Sequence, residues 1–209
     1  MGYLLALELR VLERTRQQRV HNWFAAPSGG LKGKRLGIMG TGSIGAHIAR
    51  TCKAFGISVA GLSLSGAPSP AFDQVLPVTQ LHEFLREIDY LVVTLPATAS
   101  TENLLDEAAL AKLPAHAYLI NVGRSNVVDD EALIDALRKG ELAGAALDVF
   151  DEEPLAEESP FWDTPNLSIT AHIAAISHPS LIVPIFLENY RRYCSKQPLK
   201  YVIDFYKGY

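Results

Sequence analysis

The chain has 209 residues, of which 48% are hydrophobic and 20% charged, a composition typical of a globular protein. Its 19 basic residues do not exceed its 23 acidic ones, so the charge does not favour nucleic acid or an anionic membrane as a partner. No stretch approaches the roughly 18 uninterrupted apolar residues of a membrane helix, and the widely separated Cys52 and Cys194 fit a reducing, cytoplasmic setting.

The predicted elements alternate between helices and strands along almost the whole chain. Apolar residues at helical spacing predict an amphipathic helix over 2–20, and a loop rich in Pro and Gly follows at 26–33. Beyond this loop the sequence predicts strands at 35–40, 57–63, 89–96, 117–123, 142–150 and 167–170, and helices at 43–55, 79–88, 106–114, 129–140 and 178–196. Such short apolar strands between helices are typical of a parallel sheet covered on both faces. The predicted fold class is therefore α/β, with a doubly wound, mostly parallel sheet and flanking N-terminal and C-terminal helices.

Two details of the predicted helices can be compared directly with a structure. In the helix at 43–55, Ile44, Ile48 and Cys52 fall on one face. The closing helix at 178–196 is expected to be interrupted at Pro184.

The segment GTGSIG follows a predicted strand directly and opens a helix. In this context Gly40 makes the turn, Gly42 lets the backbone approach a pyrophosphate, and Gly45 lets the helix pack close to the strand. The first N–H groups of the helix, near Ser43 and Ile44, then face the phosphate charge. The alternative is a tight corner that binds nothing, because a lone G-x-G-x-x-G is a weak signal.

The end of the second predicted strand is where an acid would hold the adenine ribose of NAD. Ser63, Leu64 and Ser65 occupy this position instead. Without an acid a 2′-phosphate is not repelled, and without an arginine it is not bound by a positive charge. Either NAD or NADP fits such a site, and the serines favour NADP.

Three candidate catalytic residues lie at or just after the ends of predicted strands, where open α/β sheets bind ligands. Arg124 follows LINVG, Glu153 follows LDVF after a short gap, and His172 follows LSIT. Beside a nicotinamide these groups would suffice to reduce a 2-keto acid. Arg124 would bind the substrate carboxylate or polarise the carbonyl, His172 would deliver the proton, and Glu153 would orient the imidazole.

Each of these residues also has a structural explanation. Arg124 could pair with either of two aspartates that follow it, Glu153 could belong to a solvated acidic run, and His172 could be a structural histidine at a strand end. The pattern alone does not separate Glu153 from Glu152.

Four segments, in this order and spacing, resemble the D-isomer-specific 2-hydroxyacid dehydrogenases and their glyoxylate/hydroxypyruvate reductase branch: GIMGTGSIG, LINVGRSNVVDDEAL, LDVFDEEPL and TAHIAA. The resemblance covers nearly the whole chain. It implies an interdomain or dimerisation helix at 1–27, a Rossmann-type NAD(P)-binding domain at 28–179, and a C-terminal helix and tail at 180–209.

The same resemblance assigns expected roles to individual residues. Arg124, Glu153 and His172 match the family's catalytic set, and Asp148 is similar to an aspartate that holds the nicotinamide carboxamide. Four further residues are expected along the cofactor cleft: Leu95, Pro96, Thr101 and Val122.

The implied activity is hydride transfer between NAD(P) and a small 2-keto or 2-hydroxy acid, of the glyoxylate or hydroxypyruvate type. In the family about a hundred residues precede the first helix and form a substrate domain, so this chain is expected to be mainly the cofactor-binding half. The alternative is a dinucleotide-binding regulatory or interaction module without meaningful catalysis. A homodimer is expected in either case, burying Leu4, Leu7, Val11 and Trp23 of the N-terminal segment.

Three positions depart from the family's pattern. Ser125 stands where Gly usually follows the catalytic Arg, which would displace Arg124 if that backbone needs glycine. Ala171 stands where Pro usually precedes the catalytic His, which frees a φ angle that Pro would fix. Leu64 stands where members of the branch often carry Arg, so a charge that favours NADP is absent.

Overall fold

Seven parallel strands form one sheet in the computed structural model, which describes residues 1–175 and 177–205. The strands are β1 (Arg35–Met39), β2 (Ser58–Ser63), β3 (Gln74–Pro77), β4 (Tyr90–Val93), β5 (Tyr118–Asn121), β6 (Gly144–Leu147) and β7 (Leu167–Ile169). Their order is β3-β2-β1-β4-β5-β6-β7. Successive strands are therefore added outward from β1 to β3 on one side, and from β4 to β7 on the other, so that the order switches between β1 and β4. This arrangement confirms the predicted doubly wound α/β fold and places a ligand-binding crevice at the carboxyl ends of β1 and β4.

Helices connect the strands and flank the domain. They are α1 (Gly2–Glu8), α2 (Val11–Arg19), α3 (Ser43–Lys53), α4 (Leu81–Leu85), α5 (Glu107–Leu110), α6 (Asp130–Lys139) and α7 (Pro179–Cys194), with 3-10 turns at Val78–Gln80 and Ser125–Val127. Among the described residues, no helix is both long enough and apolar enough to cross a bilayer.

The core lies on both faces of the sheet, as the near-continuous apolar strands predict. In β4, Leu91 and Val93 pack into the cluster on one face, whereas Tyr90 and Val92 pack into the cluster on the other. Because successive side chains of a strand point to opposite faces, a strand buried on both sides needs apolar residues at every position.

The strand β3 is absent from the sequence prediction. It has four residues, Gln74–Pro77, and forms the edge of the sheet beside a segment rich in Pro. A short edge strand ending in Pro carries too little apolar alternation to be recognised from the sequence.

The prediction of one continuous N-terminal helix over 2–20 is wrong, because the structure has two helices there, α1 and α2, with a break between them. Arg10 adopts a left-handed conformation with φ of 51° at the break. Glu8, at the end of α1, accepts a hydrogen bond from the Tyr90 hydroxyl, and its carbonyl accepts one from the N–H of Gly29. Helix α1 therefore ends against the domain, a constraint that comes from tertiary contacts and that the helical spacing of apolar residues does not show.

Helix α3 buries a different face from the predicted one. Gly45, Ala49 and Cys52 are buried, Ile48 is half-buried, and Ile44 is 59% exposed. Small residues face the sheet because the helix packs close to β1, which leaves Ile44 near the crevice.

Helix α7 continues through Pro184 and is not interrupted there, and none of its residues is buried. Its exposed apolar side chains include Leu181, Phe186 and Tyr190. Residues 206–209 of the predicted tail lie outside the described residues.

We expect Asp130→Asn to stabilise the fold above about pH 6. Burial and the charges of Asp151 and Asp129 raise the pKa of Asp130 from 3.8 to about 6. Since the folded chain holds this proton more tightly than the unfolded one, stability falls as pH rises from about 4 to about 6. The asparagine removes this loss, and screening by solvent limits the gain at about pH 7.5 to about 1 kcal/mol.

Urea unfolding of both chains at about pH 4 and about pH 7.5 measures this difference. The two midpoints should coincide at the lower pH and separate at the higher one. Glu131→Gln, at the exposed neighbouring position, is the control and should show no such pH dependence. A gain from Asp130→Asn that is equal at both pH values would contradict the assignment.

Candidate active site

The glycine turn connects β1 to α3 at the carboxyl edge of the sheet. Gly40 has a φ of 104°, and a Cβ there would lie 2.7 Å from Oγ1 of Thr94. A Cβ on Gly45 would lie 1.9 Å from the carbonyl oxygen of Gly40. Both positions therefore require glycine, one for its backbone conformation and the other for the close approach of helix and strand.

The start of α3 is suited to an anion. Gly42 is the N-cap residue, no described side chain caps this helix end, and a Cβ on Gly42 would meet nothing within 4 Å. The first N–H groups of a helix have no intrahelical acceptor, and those of Ser43 and Ile44 lie at this end. Open space over uncapped N–H groups fits the pyrophosphate of a dinucleotide.

A cleft of about 680 Å³ extends from this turn along the carboxyl ends of β1, β2, β4 and β5. The volume lies within the range of small-molecule and cofactor sites. Most of the predicted cofactor residues line it: Gly40, Gly42, Ser43, Ile44, Gly45, Ser63, Leu64, Leu95, Pro96, Thr101 and Val122.

Several lining residues were missed by the sequence analysis: Thr41, Leu62, Val78, Thr94, Thr98, Ser100, Leu104 and Gly123. Thr94 directly follows β4, and its hydroxyl donates to the carbonyls of Met39 and Gly40. Gly123 follows β5, and a Cβ there would lie 2.7 Å from the carbonyl oxygen of Leu95. Thr94 and Gly123 could have been identified from the sequence by their position just after parallel strands, where such sheets bind ligands.

The end of β2 carries no acid. Oγ of Ser63 accepts a hydrogen bond from the N–H of Gly66 at 3.1 Å, and Oγ of Ser65 accepts one from Ala67 at 3.2 Å. Ser65 does not line the cleft, whereas Leu64 does and is 72% exposed. The hydroxyl of Ser63, which lines the cleft, keeps its proton for donation to a ligand.

Thr101 shapes the cleft wall. Its hydroxyl donates to the carbonyl of Pro96 at 2.8 Å and accepts from the N–H of Thr98 at 2.9 Å. These contacts fold the loop that follows β4 back on itself.

Arg124 lies in the cleft just beyond β5. Its Nη1 donates to the carbonyl of Gly123 at 2.7 Å, and no salt bridge to a following aspartate occurs among the described residues. The buried side chain of Asn121 braces this turn, donating to the carbonyl of Arg124 at 2.9 Å and accepting from the N–H of Gly123 at 3.0 Å. Ser125 begins a 3-10 turn and is not among the described residues with positive φ, so this position does not need glycine.

Glu153 and His172 are in direct contact. Oε2 of Glu153 lies 2.9 Å from Nδ1 of His172, and Oε1 accepts from the N–H of Phe150 at 3.0 Å. The hydrogen bond from Phe150, followed by that from His172, holds the pKa of Glu153 below its ordinary value. The geometry thus selects Glu153 over Glu152, which the sequence pattern did not do.

Asp148 lies beneath the loop that carries His172. Its side chain is 2% exposed and accepts hydrogen bonds from the N–H groups of Ile173 and Ala174. His172 itself has a φ of 52°, a conformation uncommon for a residue with a side chain.

The structure therefore divides the predicted site residues into two groups. Arg124 lines the cleft together with the glycine turn, whereas Asp148, Glu153 and His172 do not line it. These three belong to the adjoining ends of β6 and β7, at the same edge of the sheet.

Comparison with known proteins gives consistent matches. The family model for the NAD binding domain of the D-isomer specific 2-hydroxyacid dehydrogenases matches residues 1–174. Glyoxylate/hydroxypyruvate reductase A from Klebsiella pneumoniae is 35% identical over 174 residues, which are 83% of this chain and 56% of that protein. The chain thus spans about half the length of the curated relatives it matches.

Solved structures are similar over almost the whole chain. A D-isomer specific 2-hydroxyacid dehydrogenase family protein from Aeromonas salmonicida superimposes with a TM-score of 0.91 and 44% identity, covering 98% of this chain and 66% of that one. An NADPH-dependent glyoxylate/hydroxypyruvate reductase from Sinorhizobium meliloti, in complex with NADP and sulfate, gives a TM-score of 0.91 and 33% identity, covering 100% and 67%.

Proposed function

The chain belongs to the D-isomer-specific 2-hydroxyacid dehydrogenases and contains their NAD-binding domain. From this we propose that it is the cofactor-binding part of an NADP-dependent reductase of a short 2-keto acid. Glyoxylate and hydroxypyruvate are the substrate type. The observation that carries the proposal is the contact of 2.9 Å between Glu153 and Nδ1 of His172, at the same edge of the sheet as the cleft. A carboxylate that orients an imidazole is an arrangement suited to proton transfer.

The residues present would divide the reduction among them. The hydride for the carbonyl carbon would come from a nicotinamide dinucleotide bound in the cleft. His172 would deliver the proton to the carbonyl oxygen from Nε2, because Nδ1 is engaged by Glu153. Arg124 would bind the substrate carboxylate, a group that its planar guanidinium can hold with two hydrogen bonds.

The experiment that tests this function follows nicotinamide absorbance over time. The 209-residue chain is mixed with hydroxypyruvate or glyoxylate and with NADH or NADPH. We expect slow turnover, because the side chains of His172 and Glu153 are exposed to solvent and access of water to a site reduces the rate by orders of magnitude. If folded protein oxidises the cofactor no faster than buffer alone does, the proposal is defeated.

The second candidate is a dinucleotide-binding regulatory or interaction module. It is favoured by the exposure of the proposed catalytic side chains, which is 50% for His172 and 36% for Glu153. Binding of NADPH without turnover would support this alternative, whereas turnover comparable with that of complete relatives would exclude it.

The proposal favours NADP over NAD. It is supported by Ser63 in place of an acid at the end of β2, and by the Sinorhizobium meliloti relative, which is NADPH-dependent. NAD stays the alternative, because no arginine occupies the position of Leu64.

We expect Leu64→Arg to strengthen binding of NADPH about tenfold, since a guanidinium there can pair with the 2′-phosphate. Binding of NADH, which lacks this phosphate, should change little. Fluorescence titration with each cofactor gives both dissociation constants. Leu199→Arg, at an exposed position away from the cleft, is the matched control. Equal tightening of both cofactors by Leu64→Arg would show a general charge effect and not a phosphate site.

A homodimer is part of the proposal. The segment after α1 exposes Val11, Leu12, Val20 and Trp23, the last at 92%. Leu4, in contrast, is 1% exposed and packs within its own domain, so it has no surface left for a partner.

Arg14 gives this segment a defined shape. Its guanidinium donates to the carbonyls of Phe24 and Ala26 at 3.1 and 2.7 Å, and it lies 5.9 Å from the centre of the Phe24 ring. A segment of defined shape that exposes several apolar side chains is suited to a second copy of the chain.

Light scattering at micromolar concentration should give twice the mass of the chain, and Trp23→Ser should shift the mass towards the monomer. Trp162→Ser removes a second exposed tryptophan and should leave the mass unchanged. A monomer mass for the unaltered chain would refute the homodimer.

The proposed organisation keeps a dinucleotide-binding unit at 28–179 between flanking segments at 1–27 and 180–209. Support comes from the sheet, which lies wholly within 35–169. A reducing, cytoplasmic location is also proposed, supported by the unpaired thiols of Cys52 and Cys194.

A further inference from the structure

One buried carboxylate holds the loop that carries His172 from several directions. Oδ1 of Asp148 accepts hydrogen bonds from the hydroxyl of Thr170 at 2.5 Å and from the N–H of Ile173 at 3.0 Å, and Oδ2 accepts from the N–H of Ala174 at 2.8 Å. The carbonyl of Asp148 also accepts from the N–H of His172, at 2.8 Å. The donors therefore lie on both sides of His172 and on His172 itself.

This loop needs to be held because its central residue is in an unfavourable conformation. His172 has a φ of 52°, where the Cβ of an L-residue crowds its own backbone. Such a conformation persists only when the surroundings determine it. The hydrogen bonds to Asp148 are the surroundings that do so here.

The hydroxyl of Thr170 extends the network to the N-terminal helix. Oγ1 of Thr170 lies 2.9 Å from the hydroxyl of Tyr3, on α1. Because Thr170 donates its one proton to Asp148, it must accept from Tyr3. The direction of donation is therefore fixed from Tyr3 to Thr170 to the carboxylate.

We propose that Tyr3 is a positioning residue of the active site, acting through Thr170 and Asp148 to hold the His172 loop in its left-handed conformation. The inference rests on the proposed function for its catalytic meaning. With Tyr3 in place, Thr170 keeps its proton directed at Asp148. Without it, the threonine hydroxyl loses the donor that polarises it, so its hydrogen bond to Asp148 weakens and the carboxylate holds the loop less firmly.

The test compares Tyr3→Phe, which removes only the hydroxyl, with the unaltered chain labelled with ¹⁵N. We expect the amide protons of Ile173 and Ala174 to exchange about fivefold faster, the change expected for one lost neutral hydrogen bond. The two ring nitrogens of His172 should also lose part of the chemical-shift difference that the contact with Glu153 imposes. A role confined to fold stability would not move these ring signals selectively.

Matched variants separate the network from general destabilisation. Thr170→Val removes the hydroxyl that donates to Asp148 and should accelerate exchange at Ile173 and Ala174 at least as much as Tyr3→Phe. Thr170→Ser keeps a hydroxyl and should leave this exchange near that of the unaltered chain. Tyr193→Phe, at an exposed position on α7, is the control and should leave all these signals unchanged. Because Tyr3 acts through Thr170, the double variant should show no more than the larger single effect.

Unchanged exchange at Ile173 and Ala174 in Tyr3→Phe overturns the inference. If Tyr3→Phe instead accelerates exchange across the whole sheet, the inference is tested by comparing Thr170→Val with Thr170→Ser. Equal exchange at Ile173 and Ala174 in these two variants overturns the inference. Failure of the proposed function has a different signature, namely no turnover by the unaltered chain while the loop signals still respond. In a chain that turns over, Tyr3→Phe should lower kcat and leave KM for NADPH within about twofold, because Tyr3 lies outside the cofactor cleft.

Discussion

Gly45→Ala is expected to lower the free energy of unfolding by about 3 kcal/mol and to abolish measurable binding of NADPH. The added methyl group would lie 1.9 Å from the carbonyl oxygen of Gly40, a backbone atom that no side-chain rotation can move away. Helix α3 would have to shift from β1, and the helix end that faces the cleft would shift with it. Urea unfolding followed by circular dichroism, and fluorescence titration with NADPH, measure the two effects.

Gly42→Ala is the matched control, because a Cβ there would meet nothing within 4 Å. The free energy of unfolding should fall by less than about 1 kcal/mol, the difference between Gly and Ala at an N-cap. Binding of NADPH should still weaken about tenfold or more, since the methyl group occupies space that the pyrophosphate must approach. Tight NADPH binding by Gly42→Ala would argue that the glycine turn is a packing corner only.

His172→Ala is expected to lower kcat for the 2-keto acid about a thousandfold and to leave KM for NADPH nearly unchanged. General acid catalysis by a positioned side chain contributes about 10²- to 10⁴-fold. Steady-state kinetics on the 209-residue chain measure both constants. His82→Ala, at an exposed position on α4, is the control. Equal rates for His172→Ala and the unaltered chain would show that another group supplies the proton.

Glu153→Gln should have a smaller effect, because the amide can still accept a hydrogen bond from the imidazole. Since the pKa of Glu153 lies below its ordinary value of 4.5, this carboxylate stays ionised as the pH falls towards 5. Loss of activity in that range would therefore report another group. Comparing the dependence of kcat on pH between Glu153→Gln and the unaltered chain tests whether Glu153 contributes to that loss.

The sequence was sufficient for those parts of the fold and site that depend on short-range pattern. The glycine turn between β1 and α3 could be predicted because its spacing has a mechanical reason. The position of Arg124 and His172 at the edge of the sheet could be predicted because each follows an apolar strand. The edge strand β3 and the break at Arg10 could not, since their causes are a neighbouring strand and tertiary contacts at the end of α1.

Contacts between distant residues explain the other omissions. Asn121 and Thr94 were missed because their partners lie across a turn or on another strand. The network from Tyr3 to Asp148 likewise joins residues far apart in the chain, and no local pattern marks it.

The strand order has a consequence for how the chain folds as it is synthesised. The strand β1 lies inside the sheet between β2 and β4, and its Leu36 lies opposite Tyr90 of β4. Its hydrogen bonds on that side therefore wait for a segment made much later. Parallel pairings between distant segments are slow to form, and unpaired strands expose apolar edges meanwhile. We therefore expect slow refolding after dilution from urea, with yields that fall as protein concentration rises.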